Sequence, residues 1–141
     1  MDAVAIATLS WTEYQQRIQD PQTVVFIPCG ALEQHGPHLP LGTDALLSTA
    51  VASSVAEKLA GIVAPAFSYG YKSQPKSGGG QHFPGTTSLD GHSLSQLMRD
   101  VIREFARQGA NKIVVVDGHY ENQWFLTEGI DLSLRDVGES S

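Results

Sequence analysis

Residues 23–44, which read TVVFIPCGALEQHGPHLPLGTD, indicate most clearly how this chain folds. Their first part, residues 23–28, is an apolar run rich in β-branched side chains, a pattern typical of a strand buried on both faces of a parallel sheet. The second part, residues 30–44, is too rich in glycine and proline for a helix and too polar for a core strand. We therefore predict a buried strand followed by a loop that presents side chains, which is where catalytic groups tend to lie.

The loop over residues 30–44 contains Glu33, His35, His38 and Asp44. Their oxygen and nitrogen atoms are donors of the kind that bind zinc or manganese. Glu33 and His35 stand two positions apart, so on an extended segment both side chains point to the same side. Taken alone, these two residues are better explained as solvated residues of a surface turn. Whether they belong to a functional site depends on the other polar loops of the chain.

Strand, polar loop and helix follow one another three times along the chain. Further strands are predicted over residues 62–67 and 112–116. Helices are predicted over residues 10–20 and 44–58, from 93 to Gly109, and over 122–135. The first of them has a capping box at Ser10 and Glu13. The second is predicted to have Thr43 or Asp44 as its N-cap and Gly61 past its C-terminal end. This alternation predicts an α/β fold with three α/β/α layers, a mainly parallel sheet and right-handed crossovers.

Composition excludes several classes of protein. The 141 residues carry a net charge of −6, which argues against binding to a nucleic-acid backbone. No apolar run approaches the roughly 20 residues that span a bilayer. The N-terminus lacks the basic start of a signal peptide and Cys29 is the single cysteine, so we predict a cytoplasmic protein with Cys29 as a small buried hydrophobe. We expect one domain over residues 1–141 and a small molecule as its partner.

The polar loops are predicted to meet, because ligands bind beyond the carboxyl ends of the strands in open α/β sheets. The second loop contains Ser77 and the glycines 78–80, and the third contains His119 and Glu121. Parallel strands would bring these groups to the same end as Glu33, and that convergence favours a functional site over a surface turn. Two metal ions about 3.5–4 Å apart can hold a hydroxide and polarise a carbonyl, and a shared carboxylate such as Asp44 is a natural bridge.

Other catalytic motifs fit poorly. His119 and Glu121 have the His-x-Glu spacing of zinc deaminases, but the Pro-Cys-x-x-Cys partner is absent. The glycines 78–80 are not followed by Lys-Ser or Lys-Thr, as a P-loop requires. The sequence contains no Gly-x-Ser-x-Gly elbow of a serine hydrolase.

Several motifs resemble those of the creatininase (creatinine amidohydrolase) family. They are GALEQHGPH at residues 30–38, GTD at 42–44 and GHYEN at 118–122. The middle segments, YGYKSQPKSGGG at 69–80 and HFPGTTSLD at 82–90, resemble the creatininases proper more than their relatives. The resemblance extends from about residue 11 to residue 135.

The resemblance implies a metal-dependent hydrolase that converts creatinine to creatine through a hydroxide held between two ions of zinc, manganese or both. One ion would be bound by Glu33, Asp44 and His119, and the other by His35, Asp44 and Glu121. The substrate would contact Ser77, Gly78 and Tyr120, while His119 and Glu121 would also take part in catalysis. The family also implies a homo-oligomer, a hexamer built from dimers.

The sequence departs from the family in two ways. Asp117 stands where the family has asparagine, and members are nearly twice as long, with a tryptophan-bearing flap and a Glu-His pair for proton transfer in their second half. Only His38 and His82 remain as proton donors here, so we expect slow catalysis, and an unpaired sheet edge beside the third strand. The alternatives are another amidohydrolase of the family, acting on formamide or another cyclic amide, and a catalytically incomplete metal-binding fragment.

Overall fold

The computed structural model describes residues 4–139. The helices are α1 (Trp11–Ile18), α2 (Thr43–Ala56), α3 (Gly91–Arg107) and α4 (Gln123–Glu139), and the strands are β1 (Val24–Cys29), β2 (Gly61–Val63) and β3 (Ile113–Asp117). The capping box before α1 forms as predicted, with the Ser10 side chain accepting from the Glu13 backbone and the Glu13 carboxylate accepting from the Ser10 backbone. Over residues 4–139, none of the helices is both long and apolar enough to cross a membrane.

The strands form a parallel sheet in the order β2-β1-β3, with helices on both of its faces. Side chains of β1 alternate between the two layers. Val25 and Ile27 belong to a core cluster with Leu94 and Met98 of α3, whereas Phe26 packs with the alanines of α2. The predicted α/β fold with three α/β/α layers is therefore confirmed, and β1 is buried on both faces as predicted.

The predicted ends of the second helix are wrong. Neither Thr43 nor Asp44 is the N-cap, because Gly42 takes that position and Thr43 donates its hydroxyl to the Pro40 carbonyl at 2.6 Å. Asp44 lies in the first turn, which frees its carboxylate for the loop. Gly61 does not end the helix but begins β2, where a Cβ would lie 2.6 Å from the Cα of Ala56. Position 61 therefore requires glycine, because β2 and α2 pack too closely there to admit a side chain.

Other element boundaries also differ from the predictions. The second strand covers Gly61–Val63 instead of residues 62–67, because Pro65 cannot donate a ladder hydrogen bond. The third helix begins at Gly91, earlier than predicted, and a Cβ on Gly91 would lie 2.0 Å from the Phe125 ring. The fourth helix continues past residue 135 to Glu139.

Strand β3 was predicted to be buried, but it is partly exposed. Within residues 4–139 it pairs with β1 alone, so it forms the unpaired edge that was expected, and Val114 is 42% exposed. A groove of about 630 Å³ runs along this edge between Ile113 and Val115 of β3 and the apolar faces of α3 and α4. An unpaired strand edge presents free backbone N–H and C=O groups that can pair with another chain.

Candidate metal centre

The loops that follow the three strands meet at the carboxyl end of the sheet, as predicted. They enclose a cavity of about 310 Å³, lined by Glu33, Gln34, His35, Asp44, Ser77, Gly78, Gly79, Gly118, His119, Tyr120 and Glu121. Every residue predicted to bind metal or substrate is in this set. His38 and His82, the two remaining candidates for proton donation, are exposed and do not line the cavity.

Asp44 lies between two imidazoles and directs one carboxylate oxygen at each of them. Its Oδ1 is 2.9 Å from His35 Nε2, and its Oδ2 is 3.2 Å from His119 Nδ1. Glu33 Oε1 lies 3.1 Å from the same nitrogen of His119. Glu33, His35 and Asp44 each offer a ligand atom within 4.8 Å of the others. This is the arrangement that a bridging carboxylate requires.

The residues present fit a divalent metal. Oδ2 of Asp44 is buried and accepts no well-directed hydrogen bond, although His119 Nδ1 is near. A buried carboxylate oxygen that accepts no well-directed hydrogen bond is costly, and a bound cation would remove that cost. Carboxylate oxygens together with imidazole nitrogens are ligands that both zinc and manganese accept.

The orientation of His119 is set by a backbone carbonyl. His119 is 3% exposed, and its Nε2 lies 3.0 Å from the Tyr71 oxygen. Because a carbonyl oxygen can only accept, Nε2 carries the proton and Nδ1 faces Glu33 and Asp44. Burial by itself lowers the pKa of His119, but the hydrogen bonds and charges of Asp44 and Glu33 outweigh it and raise the pKa to about 10.

Ser73, which was not predicted from the sequence, forms a hydrogen bond with the metal-ligand candidate Glu33. Burial raises the pKa of Glu33, but hydrogen bonds from His119 and Ser73 outweigh this and hold that pKa below its usual value. The hydroxyl of Ser73 also accepts the Gly80 N–H at 3.0 Å. A Cβ on Gly79 would lie 1.9 Å from this hydroxyl and 3.2 Å from Glu33 Oε2, so only glycine permits this close approach of the backbone.

Glu121 lines the cavity beside Nε2 of His119. The Ser77 hydroxyl donates a hydrogen bond to Glu121 Oε1, and Glu121 Oε2 is 3.5 Å from His119 Nε2. Tyr120 is 67% exposed at the mouth and packs edge-on against Trp124. A polar wall and an exposed aromatic side chain at the mouth are suited to a small polar molecule.

Two residues beside the cavity bear on the earlier predictions. Asp117 is exposed at the end of β3, but its Oδ1 accepts the His119 backbone N–H at 3.1 Å, and partial desolvation raises the pKa of its carboxyl group. Cys29 is fully buried, as predicted, and burial together with the charge of Asp117 raises the pKa of its thiol.

A parallel sheet with carboxylates and imidazoles gathered at the carboxyl ends of its strands is typical of α/β proteins that bind metals at this edge. The chain belongs to the creatininase family, whose model, described as creatinine amidohydrolase, matches residues 7–139. It is 53% identical over 135 residues to creatinine amidohydrolase of Pseudomonas putida, covering 96% of this chain and 52% of that protein. It is 38% identical over 127 residues to mycofactocin precursor peptide peptidase of Mycobacterium tuberculosis, covering 83% of this chain and 48% of the relative.

The fold matches solved structures equally well. A crystal structure of creatinine amidohydrolase (creatininase) superposes with a TM-score of 0.96 at 50% identity, covering 99% of this chain and 54% of that one. Other matching creatininase structures are described as a manganese form, a mutant of the Zn-Zn type and a mutant complexed with creatine. The chain thus spans about half the length of the curated relatives it matches.

Proposed function

We propose that this chain carries the metal centre of a creatinine amidohydrolase, which hydrolyses the cyclic amide of creatinine to creatine. One observation carries the proposal: the predicted ligands converge from two loops onto Asp44, which faces an imidazole with each of its oxygens. The relative from Pseudomonas putida and the creatine complex of a related creatininase support the choice of substrate. The cavity of about 310 Å³ has the size expected for a small molecule.

Two divalent ions are proposed, with Asp44 as the shared ligand. Glu33, Asp44 and His119 would hold one of them, and His35, Asp44 and Glu121 the other. Bound zinc or manganese would supply Lewis acidity and lower the pKa of a water. The manganese and Zn-Zn forms of related creatininases support both metals as candidates.

The chain's own side chains would orient the substrate and manage protons. The Ser77 hydroxyl donates to Glu121 Oε1, which fixes this carboxylate on one wall of the cavity. Glu121 can therefore accept a proton on the side where the substrate would enter. No atom lies within 4 Å of the place where a Cβ on Gly78 would be, which leaves room for a flat ring, and the exposed Tyr120 lines the same cavity.

We expect creatinine to be the fastest substrate in a panel that also contains formamide, other cyclic amides and a short peptide. Metal-loaded protein would be assayed for creatine formation, with chelated protein as the control. The peptide is included because the relative from Mycobacterium tuberculosis is a peptide peptidase. Faster, metal-dependent hydrolysis of another amide, with creatinine inert, would contradict the assignment of the substrate and favour another amidohydrolase of the family.

Metal uptake is expected to release protons and to weaken as the pH falls. The raised pKa of about 10 means that the metal-free His119 is protonated at neutral pH, and a metal must displace that proton from Nδ1. Affinity should therefore fall about tenfold for each pH unit below that value. Calorimetric titration with Zn²⁺ in buffers of different ionisation enthalpy measures the protons released.

The matched control for this titration is His82→Ala, which removes an exposed imidazole outside the cavity. It is expected to leave the number of released protons unchanged. Zinc affinity that does not vary between pH 7 and pH 9 in the unmodified chain would contradict the protonation of His119.

Self-association and a cytoplasmic location are also part of the proposal. Leu47, Val51, Val55 and Leu59 are all exposed and follow one another at helical spacing along and just past α2. An apolar stripe of this kind favours contact with another copy of the chain. A buried, free Cys29 is compatible with a reducing compartment.

A further inference from the structure

The side chain of Asn122 hydrogen-bonds to all three loops that form the cavity. It is fully buried, and its Nδ2 donates to the Gly30 carbonyl at 3.0 Å, where the first loop begins. Its Oδ1 accepts the Tyr71 N–H of the second loop at 2.8 Å. Its Nδ2 also donates to Asp117 Oδ1, at the end of β3, at 3.1 Å. A carboxamide suits this position because it donates to two acceptors and accepts from an N–H at the same time.

Two hydrogen-bonded routes lead from Asn122 to His119. In the first, Asn122 holds the N–H of Tyr71, whose carbonyl oxygen lies 3.0 Å from His119 Nε2. In the second, Asp117 Oδ1 accepts both from Asn122 and from the backbone N–H of His119. The first route fixes the ring and the second fixes the backbone of the same residue.

A third connection leads from Asn122 to Asp44. Gly30, whose carbonyl Asn122 holds, packs so closely on the first turn of α2 that a Cβ would lie 2.3 Å from the Ala45 nitrogen. Asp44 is the residue before Ala45 in that turn. A Cβ on Gly70 would lie 2.4 Å from the Gly30 carbonyl and 2.6 Å from Asn122 Oδ1, so the chain needs glycine there as well.

We propose that Asn122 is a positioning residue of the metal centre, which sets the separation of Asp44 and His119 and keeps Nδ1 of His119 directed at the carboxylates. It lines no part of the cavity, so it acts through Tyr71, Asp117 and Gly30. The inference rests on the proposed metal centre. Outer partners of this kind commonly change metal affinity by about 10–100-fold when they are removed.

The test is the affinity of the chain for Co²⁺, measured by its visible absorption, in the unmodified protein and in Asn122→Leu. Leucine has the same number and branching of side-chain heavy atoms but makes none of the three hydrogen bonds, and we expect about 10–100-fold weaker binding with altered Co²⁺ bands. The control is Ile102→Ala, which makes a void in the core at a residue that does not line the metal cavity and should lower stability. Native affinity in Asn122→Leu, or a loss no greater than in Ile102→Ala, would overturn the proposal.

A metal-free readout separates this inference from the proposed function. The Nε2–H of His119, held by the buried Tyr71 carbonyl, should give a slowly exchanging imidazole proton in the NMR spectrum of the unmodified chain. That signal should disappear in Asn122→Leu and persist in Ile102→Ala. If the unmodified chain binds no Co²⁺, the metal centre fails, while an unchanged imidazole signal in Asn122→Leu would overturn the positioning role by itself.

If Asn122→Leu does not fold, the positioning role can be tested with substitutions at both Asn122 and Asp117. Asn122→Asp places a second carboxylate beside Asp117, whereas the double variant Asn122→Asp with Asp117→Asn restores a donor and acceptor between the two positions. We expect the double variant to bind Co²⁺ more tightly than Asn122→Asp. Equal affinity in the two would contradict the coupling through Asp117.

Discussion

Replacing Asp44 by asparagine is expected to remove both metal ions. Asp44 directs one oxygen at His35 and the other at His119, so each proposed metal loses its shared charged ligand at once. The unmodified chain should contain two ions after metal-replete purification, as two-metal hydrolases do, and added zinc or manganese should raise its melting temperature. Elemental analysis and thermal unfolding should show neither effect in Asp44→Asn.

Two further variants make this result specific. Asp131→Asn removes an exposed carboxylate on α4 and should leave the metal content unchanged. His35→Ala should lose mainly one of the two ions, because the other is held by Glu33, Asp44 and His119. Full metal content in Asp44→Asn, or a melting temperature that does not respond to metal in the unmodified chain, would favour a binding or structural domain without a metal centre.

The second large effect concerns catalysis. We expect residues 1–139 joined to the remaining half of the Pseudomonas putida relative to hydrolyse creatinine about 10²–10⁴-fold faster per bound metal than the 141-residue chain, the usual contribution of a positioned acid. Opening the ring requires a proton at the departing nitrogen. Among the described residues that line the cavity, Tyr120 is the one titratable group outside the proposed ligand set, and it is 67% exposed. The family resemblance places a Glu-His pair for this step in the half that the chain does not match.

Creatine formation and metal content would be measured on the same samples of the chimera and of the chain. The chimera with Asp44→Asn is the control, since it keeps the added half but loses the metal centre. Equal rates per metal in a soluble, monodisperse 141-residue protein would show that the proton donor lies within these residues. Low solubility of the chain would agree with the exposed edge of β3.

The convergence of the site followed from the sequence because parallel strands leave little freedom in where their loops emerge. Apolar runs marked the strands, and each was followed by polar residues, so Glu33, Ser77 and His119 had to meet at one edge. The layers could be predicted for the same reason. The exposure of β3 could not be predicted, because an apolar run has the same pattern in a central strand as in an edge strand that another segment covers.

What the sequence did not predict depends on backbone atoms and on close packing. The role of Tyr71 lies in its carbonyl oxygen, which the residue type does not encode, and that of Ser73 depends on how near Gly79 approaches. Asn122 is part of the GHYEN motif at residues 118–122, but nothing in that spacing indicates that its amide forms hydrogen bonds with the backbone of Gly30 and Tyr71. The cap of α2 was misplaced because Asp44 is equally suited to capping a helix and to binding a metal.

The proposed pair of metal ions at Asp44 would be seen in anomalous diffraction from crystals grown with zinc or manganese. We expect two peaks about 3.5–4 Å apart. One should contact Glu33, Asp44 and His119, and the other His35, Asp44 and Glu121, with Asp44 common to both. A single peak, or metal bound without contact to Asp44, would contradict the proposed pair.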